Sequence, residues 1–185
     1  MLIGRAAERD RIEQLLDGAR VGRSGAVLLI GEPGAGKTAL LKATVEAATD
    51  LQVVQASGFE MEADLPFAGL DALLRPFTDD MATLPAPQAE ALSGALGFGP
   101  PLPPGDRFTA YVGALTLFSI VAERGPLLAT IDDAHWLDPA TLDALAFIAH
   151  RISAEGIAII MATRDEPTAA IEHGRGIERL RIDGL

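Results

Sequence analysis

"AVLLIGEPGAGKTALL", Ala26 to Leu41, is the stretch whose reading decides the fold. A short apolar, β-rich run, Ala26 to Ile30, ends in "GEPGAGKT", Gly31 to Thr38, and "KTALLKATVEAA" then continues with helical periodicity. The loop satisfies G-x-x-x-x-G-K-[ST] at every fixed position, between a strand and a helix. Glycines let the backbone curl closely enough for consecutive N–H groups to point at phosphate oxygens. The helix that follows presents its positive end to the same anion. Gly31, Glu32, Pro33, Gly34, Ala35, Gly36, Lys37, Thr38 and Ala39 are therefore the expected phosphate contacts. Lys37 supplies a charge at the β/γ-phosphates, and Thr38 offers its hydroxyl to Mg²⁺.

A phosphate loop of this kind needs an acidic partner at the end of a neighbouring strand, and "LLATIDDAHWLDPATL", Leu127 to Leu142, provides it. Buried strands rarely end in paired negative charge unless something positive sits there. Asp132 is the expected second Mg²⁺ ligand, through a water, opposite Thr38. Asp133 has two readings: a carboxylate that polarises an attacking water, or a charge that only balances the metal. His135 reads as a structural hydrogen-bonder. A further apolar run, "IAIIMATRDE", ends in Thr163 and Arg164, which would stand beside the glycine loop if that strand lies between the first and the third. Arg164 is then a sensor of the γ-phosphate, or else a surface arginine paired with Asp165 or Glu166. His150 and His173 have no partner pattern, and no His/carboxylate cluster has zinc spacing.

Composition narrows the alternatives. The 185 residues are enough for one domain with a sizeable core, and at 49% hydrophobic and 22% charged they describe a globular protein. The absence of cysteine excludes a disulfide scaffold, a thiolate zinc site and a cysteine nucleophile, and suits a reducing cytosol. No stretch reaches the ~18 apolar residues of a membrane span. The N-terminus carries charge from its fifth residue and has no apolar core, unlike a secretory signal. The expected location is cytoplasmic, with no membrane partner. A formal net charge of −11 repels nucleic-acid phosphates. Lys37 and Lys42 are the only lysines, so Lys37 is not one of many interchangeable ones.

Elsewhere the chain alternates strands and helices. "AAERDRIEQLLDGAR" places Ile12, Leu15, Leu16 and Ala19 on one helical face. "LQVVQAS" (51–57) is a second strand, "LPFAGLDALLRPF" (65–77) a helix ended near Pro76, and 87–96 a shorter helix. Residues 97–105 form a Pro/Gly loop, and Asp106 is a candidate cap for a long helix over 107–124. Asp138 and Pro139 are N-cap and N1 residues for a helix through about Arg151, and "ERLRIDGL" a fifth strand. Unalternating apolar strands separated by helices indicate a parallel sheet covered on both faces, whose ligands bind beyond the carboxyl ends of the strands.

With these pieces in order, the chain resembles the nucleotide-binding domain of the STAND ATPases, a branch of the AAA+ superfamily. More narrowly, it is similar to the ATPase domain of large ATP-binding regulators of the LuxR family. The resemblance is carried by "LIGRAAERDRI" (2–12), "GEPGAGKT", "LPFAGLDALLRPF", "DRFTAYVGAL" (106–115), "IDDAHWLDPATLDAL" (131–145) and "MATRDE" (161–166). The fold it implies is a three-layer αβα P-loop NTPase with a parallel sheet of about five strands, in the order 5-1-4-3-2, and no lid domain. It also implies that Ile3, Gly4 and Arg5 lie against adenine and ribose. The family's acidic residue after "GR" is Ala6 here, and Glu8 matches a later acidic position.

The expected function is a switch operated by Mg²⁺ and ATP or ADP, with slow hydrolysis through Lys37, Asp133 and Arg164. By resemblance, residues 1–185 form a single ATPase domain at the N-terminal end of a longer regulator. Lid, sensor repeats and a helix-turn-helix would lie outside this chain, and DNA would be contacted only through that absent part. The ATP form of the whole protein would self-associate, while the domain alone would be monomeric. The alternatives are an AAA+ motor or loader whose turnover is the output, and the ATPase module of a cyclase or kinase.

Overall fold

The computed structural model describes residues 5–103, 105–164 and 176–184. Its elements are α1 (Ala6–Arg20), β1 (Gly25–Ile30), α2 (Lys37–Ala47), β2 (Gln52–Ser57), α3 (Ala68–Leu74), α4 (Ala86–Ala95), α5 (Arg107–Ala122), β3 (Leu127–Asp132), α6 (Pro139–Arg151), β4 (Ile157–Thr163) and β5 (Ile177–Arg181). Short 3-10 turns occupy Glu60–Glu62, Arg75–Thr83 and Ala134–Trp136. The strands pair in the order β2-β3-β4-β1-β5, every pair parallel. This is the expected order read from the other edge.

The period of two in the strands divides the core into two layers. Ala26, Leu28 and Ile30 of β1 join Ile157, Ile159 and Met161 of β4 under α3, α4, α5 and α6. Val27 and Leu29, with Leu128, Ala158, Ile160 and Ala162, face α1 and α2 instead. Both faces of β4 are thus apolar, and all of its residues are buried. That is why its sequence shows no alternation. On α1, Ile12, Leu15, Leu16 and Ala19 form the buried stripe, as their spacing requires.

Three local expectations are corrected. The helix expected over 65–77 is only Ala68–Leu74, because Phe67 takes a left-handed conformation (φ 66°) just before it. Pro76, lacking an N–H, then diverts the chain into the 3-10 stretch Arg75–Thr83. Asp106 stands at the start of α5 but makes no side-chain capping bond, so that cap is absent; α5 also ends at Ala122 rather than at Arg124. The fifth strand covers Ile177–Arg181 and stops short of "IDGL".

Candidate functional site

Three strand ends meet at one edge of the sheet. β1 runs into the glycine loop, β4 beside it ends at Thr163, and Gly31 N donates to Thr163 O at 3.3 Å. β3 follows β4 and ends at Asp132. The sequence therefore builds the site by strand order alone.

The loop is wound as its glycines dictate. Gly34 (φ 82°) and Gly36 (φ 95°) adopt the left-handed region that disfavours a Cβ. Ala35 N donates to Glu32 O at 3.1 Å, closing the turn between them. α2 opens at Lys37, so the N–H groups of its first turn lack intrahelical acceptors and carry its positive pole. Lys37 is only 7% exposed, and its Nζ donates to Gly31 O at 2.6 Å and Glu32 O at 3.0 Å. The ammonium is thus held against the loop's own carbonyls, close to where it would meet an anion. Pro33, Gly34, Gly36, Lys37, Thr38, Ala39, Lys42, Asp133 and Arg164 together line a concavity of about 440 Å³.

The two aspartates point to different places. Asp132 lines a second cavity with Thr38, Lys42, Gln55 and Ser57, and its Oδ1 accepts the N–H of Asp133 at 2.9 Å. Asp133 has φ 46° and ψ 44°, a left-handed conformation uncommon outside glycine and tolerated best by short polar side chains. This turns its carboxylate toward the phosphate loop's concavity. There Oδ1 lies 3.9 Å from Arg164 Nε and 3.9 Å from His135 Nε2. The His135 and Trp136 rings are 5.2 Å apart. Thr38 borders both cavities and Asp132 lines one of them with it, so a hydroxyl-bearing and a carboxylate-bearing residue share one lining. That donor chemistry fits a hard divalent cation such as Mg²⁺. Among the described residues no group of three His, Cys, Asp or Glu could hold a metal unaided. Phosphate oxygens and water would have to complete the shell.

Of the residues expected at the site, Ile3 and Gly4 lie outside the described residues, as do Asp165, Glu166 and His173. Arg5 is placed beneath the phosphate loop. It is buried, and its guanidinium donates to Ala35 O at 2.7 Å, to Asp183 O and to Glu8 Oε1 at 3.0 Å.

Two long-range contacts that shape the site escape a sequence reading, those of Gly58 and Asp138. Gly58 follows β2 and packs against the 3-10 turn after β3. A Cβ there would come within 2.3 Å of Asp133 O, and Gly58 N donates to Asp132 O at 2.9 Å. Only glycine allows the aspartate turn to sit so close, and a glycine at that strand end is the signal that could have shown it. Asp138 is more than a helix cap. At 1% exposure it accepts from Thr141 N (2.8 Å) and Thr141 Oγ1 (2.6 Å), and also from Phe67 N (2.8 Å), stabilising that residue's left-handed turn. It ties the aspartate turn to α3.

Among the described residues, no helix is long and apolar enough to cross a membrane. The chain is 26% identical over 209 aligned residues to an uncharacterized protein of Rhizobium meliloti (strain 1021), covering 92% of this chain and 19% of that protein. It therefore spans about a fifth of its relative's length. Among solved structures it is similar to Orc1 of Aeropyrum pernix in complex with DNA, with TM-score 0.59 and 19% identity over 98% of this chain and 46% of that one. It is also similar to Cdc6p of Pyrobaculum aerophilum, with TM-score 0.55 and 19% identity over 97% of this chain and 45% of that one. At such identities the likeness is one of fold. Residues 1–160 match the model of the AAA ATPase domain, and they carry the glycine loop, Lys37, Thr38 and both aspartates. With a match over most of its length, and with those groups gathered at one sheet edge, the chain belongs to the AAA ATPase domain family.

Proposed function

We propose that this chain is a switch domain that binds Mg²⁺ with ATP or ADP and hydrolyses ATP slowly, within a larger transcriptional regulator of the LuxR type. One observation carries the reading: Lys37 and Thr38 at the start of α2, Asp133 just after β3 and Arg164 just after β4 line a single concavity at the phosphate loop. In this assignment the loop and the first turn of α2 bind the phosphates, and Lys37 leaves its two carbonyls for the β/γ-phosphates. Thr38 and Asp132 would hold Mg²⁺, which neutralises phosphate charge when bound. Arg164, 3.9 Å from Asp133, would exchange that carboxylate for the γ-phosphate. ATP and ADP would then leave different partners for Asp133, which is the differential interaction a switch requires. The base side is assigned to the start of the chain, Ile3, Gly4 and the backbone of Arg5, whose guanidinium is engaged elsewhere.

A second reading, a motor or loader acting on DNA, is favoured by the likeness in fold to an Orc1 whose structure holds DNA. The net charge of −11 speaks against DNA contact by this domain itself. The regulator reading assigns DNA contact to parts outside the chain and self-association to the ATP form of the whole protein.

Trp136, the sole tryptophan, lies in the turn after Asp133 and offers a local probe. Titration with Mg²⁺-ATP should change its fluorescence, while phosphate release stays far below about one per second, the low end of ordinary enzymes. Added DNA should leave the rate unchanged. Turnover at or above that rate, or strong stimulation by DNA, would favour the motor.

A further inference from the structure

The chain leaving β5 passes directly beneath the phosphate loop. Ile182 is buried, and its N–H donates to Ile30 O at 2.7 Å. Its carbonyl presses on the first loop residue: a Cβ on Gly31 would lie 2.3 Å from Ile182 O. One residue further, Asp183 O accepts a hydrogen bond from Arg5 Nη2. The same nitrogen donates to Ala35 O at 2.7 Å, inside the phosphate loop, while Nη1 pairs with Glu8 Oε1 at 3.0 Å. Arg5 is 5% exposed. A buried guanidinium therefore clasps two carbonyls, one in the phosphate loop and one on the chain leaving the sheet, with Glu8 supplying the counter-charge.

The clasp has a directional consequence. In a planar trans peptide the C=O and the following N–H point opposite ways. A donor that holds Ala35 O from the buried side aims Gly36 N–H toward the other side, where Gly36 lines the concavity. Without the guanidinium, that peptide could rotate, because Gly36 imposes little barrier of its own.

We propose that Arg5 is a positioning residue that fixes the Ala35–Gly36 peptide for phosphate binding and couples occupancy of the loop to the segment Ile182–Gly184. The inference rests on nucleotide binding at the phosphate loop. Coupling is reciprocal: if order at 182–184 tightens the loop, a bound nucleotide must order 182–184. The strand exit is then where nucleotide state leaves the domain.

The test combines calorimetry with hydrogen exchange on the unmodified chain, Arg5→Gln and Arg5→Lys, each checked for a cooperative unfolding transition. Saturating Mg²⁺-ADP should slow exchange at Ile182, Asp183 and Gly184 in the unmodified chain as well as in the loop. Arg5→Gln should weaken Mg²⁺-ADP and Mg²⁺-ATP alike by on the order of 10-fold, the scale of one charge-assisted hydrogen bond, and abolish the distant protection. Arg5→Lys, one atom shorter and without the second nitrogen that pairs with Glu8, should fall between. A purely structural role would lower the melting temperature while leaving the affinity of the folded variant unchanged, and that result would overturn the proposal. So would nucleotide binding by the unmodified chain without added protection at 182–184, a result that stands even if Arg5→Gln does not fold. Absence of any nucleotide binding by the unmodified chain would instead overturn the functional reading, and the coupling with it.

Discussion

Replacing Asp138 by alanine should be among the most damaging single changes outside the phosphate loop. The carboxylate is 1% exposed and accepts from Phe67 N, Gly69 N, Thr141 N and Thr141 Oγ1 at 2.8, 3.4, 2.8 and 2.6 Å. Alanine removes all four acceptor contacts, and the three backbone donors are buried. Each unsatisfied donor costs about 1–3 kcal/mol, and the lost helix cap overlaps with one of them. The left-handed turn at Phe67 (φ 66°) loses its anchor as well. The sum is about 3–5 kcal/mol, which for a domain of this size lowers the melting temperature by on the order of 6–20 °C. Asp138→Asn keeps one acceptor oxygen and should lose only about 1–2 kcal/mol. Urea unfolding of the three proteins, followed by circular dichroism, gives the comparison. A folded Asp138→Ala protein within about 1 kcal/mol of the unmodified chain would refute the assignment of Asp138 as the tie between α3 and the aspartate turn.

The aspartates should separate: Asp132→Asn weakens Mg²⁺-dependent nucleotide binding, whereas Asp133→Asn leaves binding largely intact and slows hydrolysis by ~10²–10⁴-fold. Loss of binding in Asp133→Asn would show that its charge balances the metal instead. Acid stability should depend in part on Glu178, whose hydrogen bonds from Arg11 hold its carboxyl below the usual range against the opposing pull of burial. A depressed carboxyl contributes stability above its unfolded pKa of about 4.3 and loses it as pH falls through the folded value. Glu178→Gln should therefore be less stable than the unmodified chain near neutrality, the difference closing as pH drops below about 4; a pH-independent gap contradicts this.

Much of the site is legible in the sequence because its parts are contiguous. The run from Ala26 to Leu41 contains strand, loop and helix start together, and the strand with Asp132 announces itself by charge where none is expected. Strand order then brings Arg164 to the loop. What the sequence hides are contacts between distant segments. Asp138 reads as a helix cap and is one, but its bond to Phe67 N crosses 71 positions. Gly58 looks like any loop glycine until Asp133 O is placed against it. Arg5 offers no sign of its carbonyl partners at Ala35 and Asp183. The helix expected over 65–77 fails for a related reason: tertiary bonds to Asp138 hold Phe67 out of the helical region, overriding local propensity.

The central claim is that the concavity at Gly31–Thr38 binds nucleotide phosphates through Lys37. Calorimetric titration of Mg²⁺-ATP and Mg²⁺-ADP into the unmodified chain and into Lys37→Ala tests it most directly, with folding of the variant confirmed by thermal unfolding. Among the described residues, Nζ of Lys37 bonds only to Gly31 O and Glu32 O of the glycine loop, so the variant should fold. Loss of a charge-assisted contact in a water-poor site should weaken binding by at least about 10-fold. Affinity in folded Lys37→Ala equal to that of the unmodified chain would contradict the account.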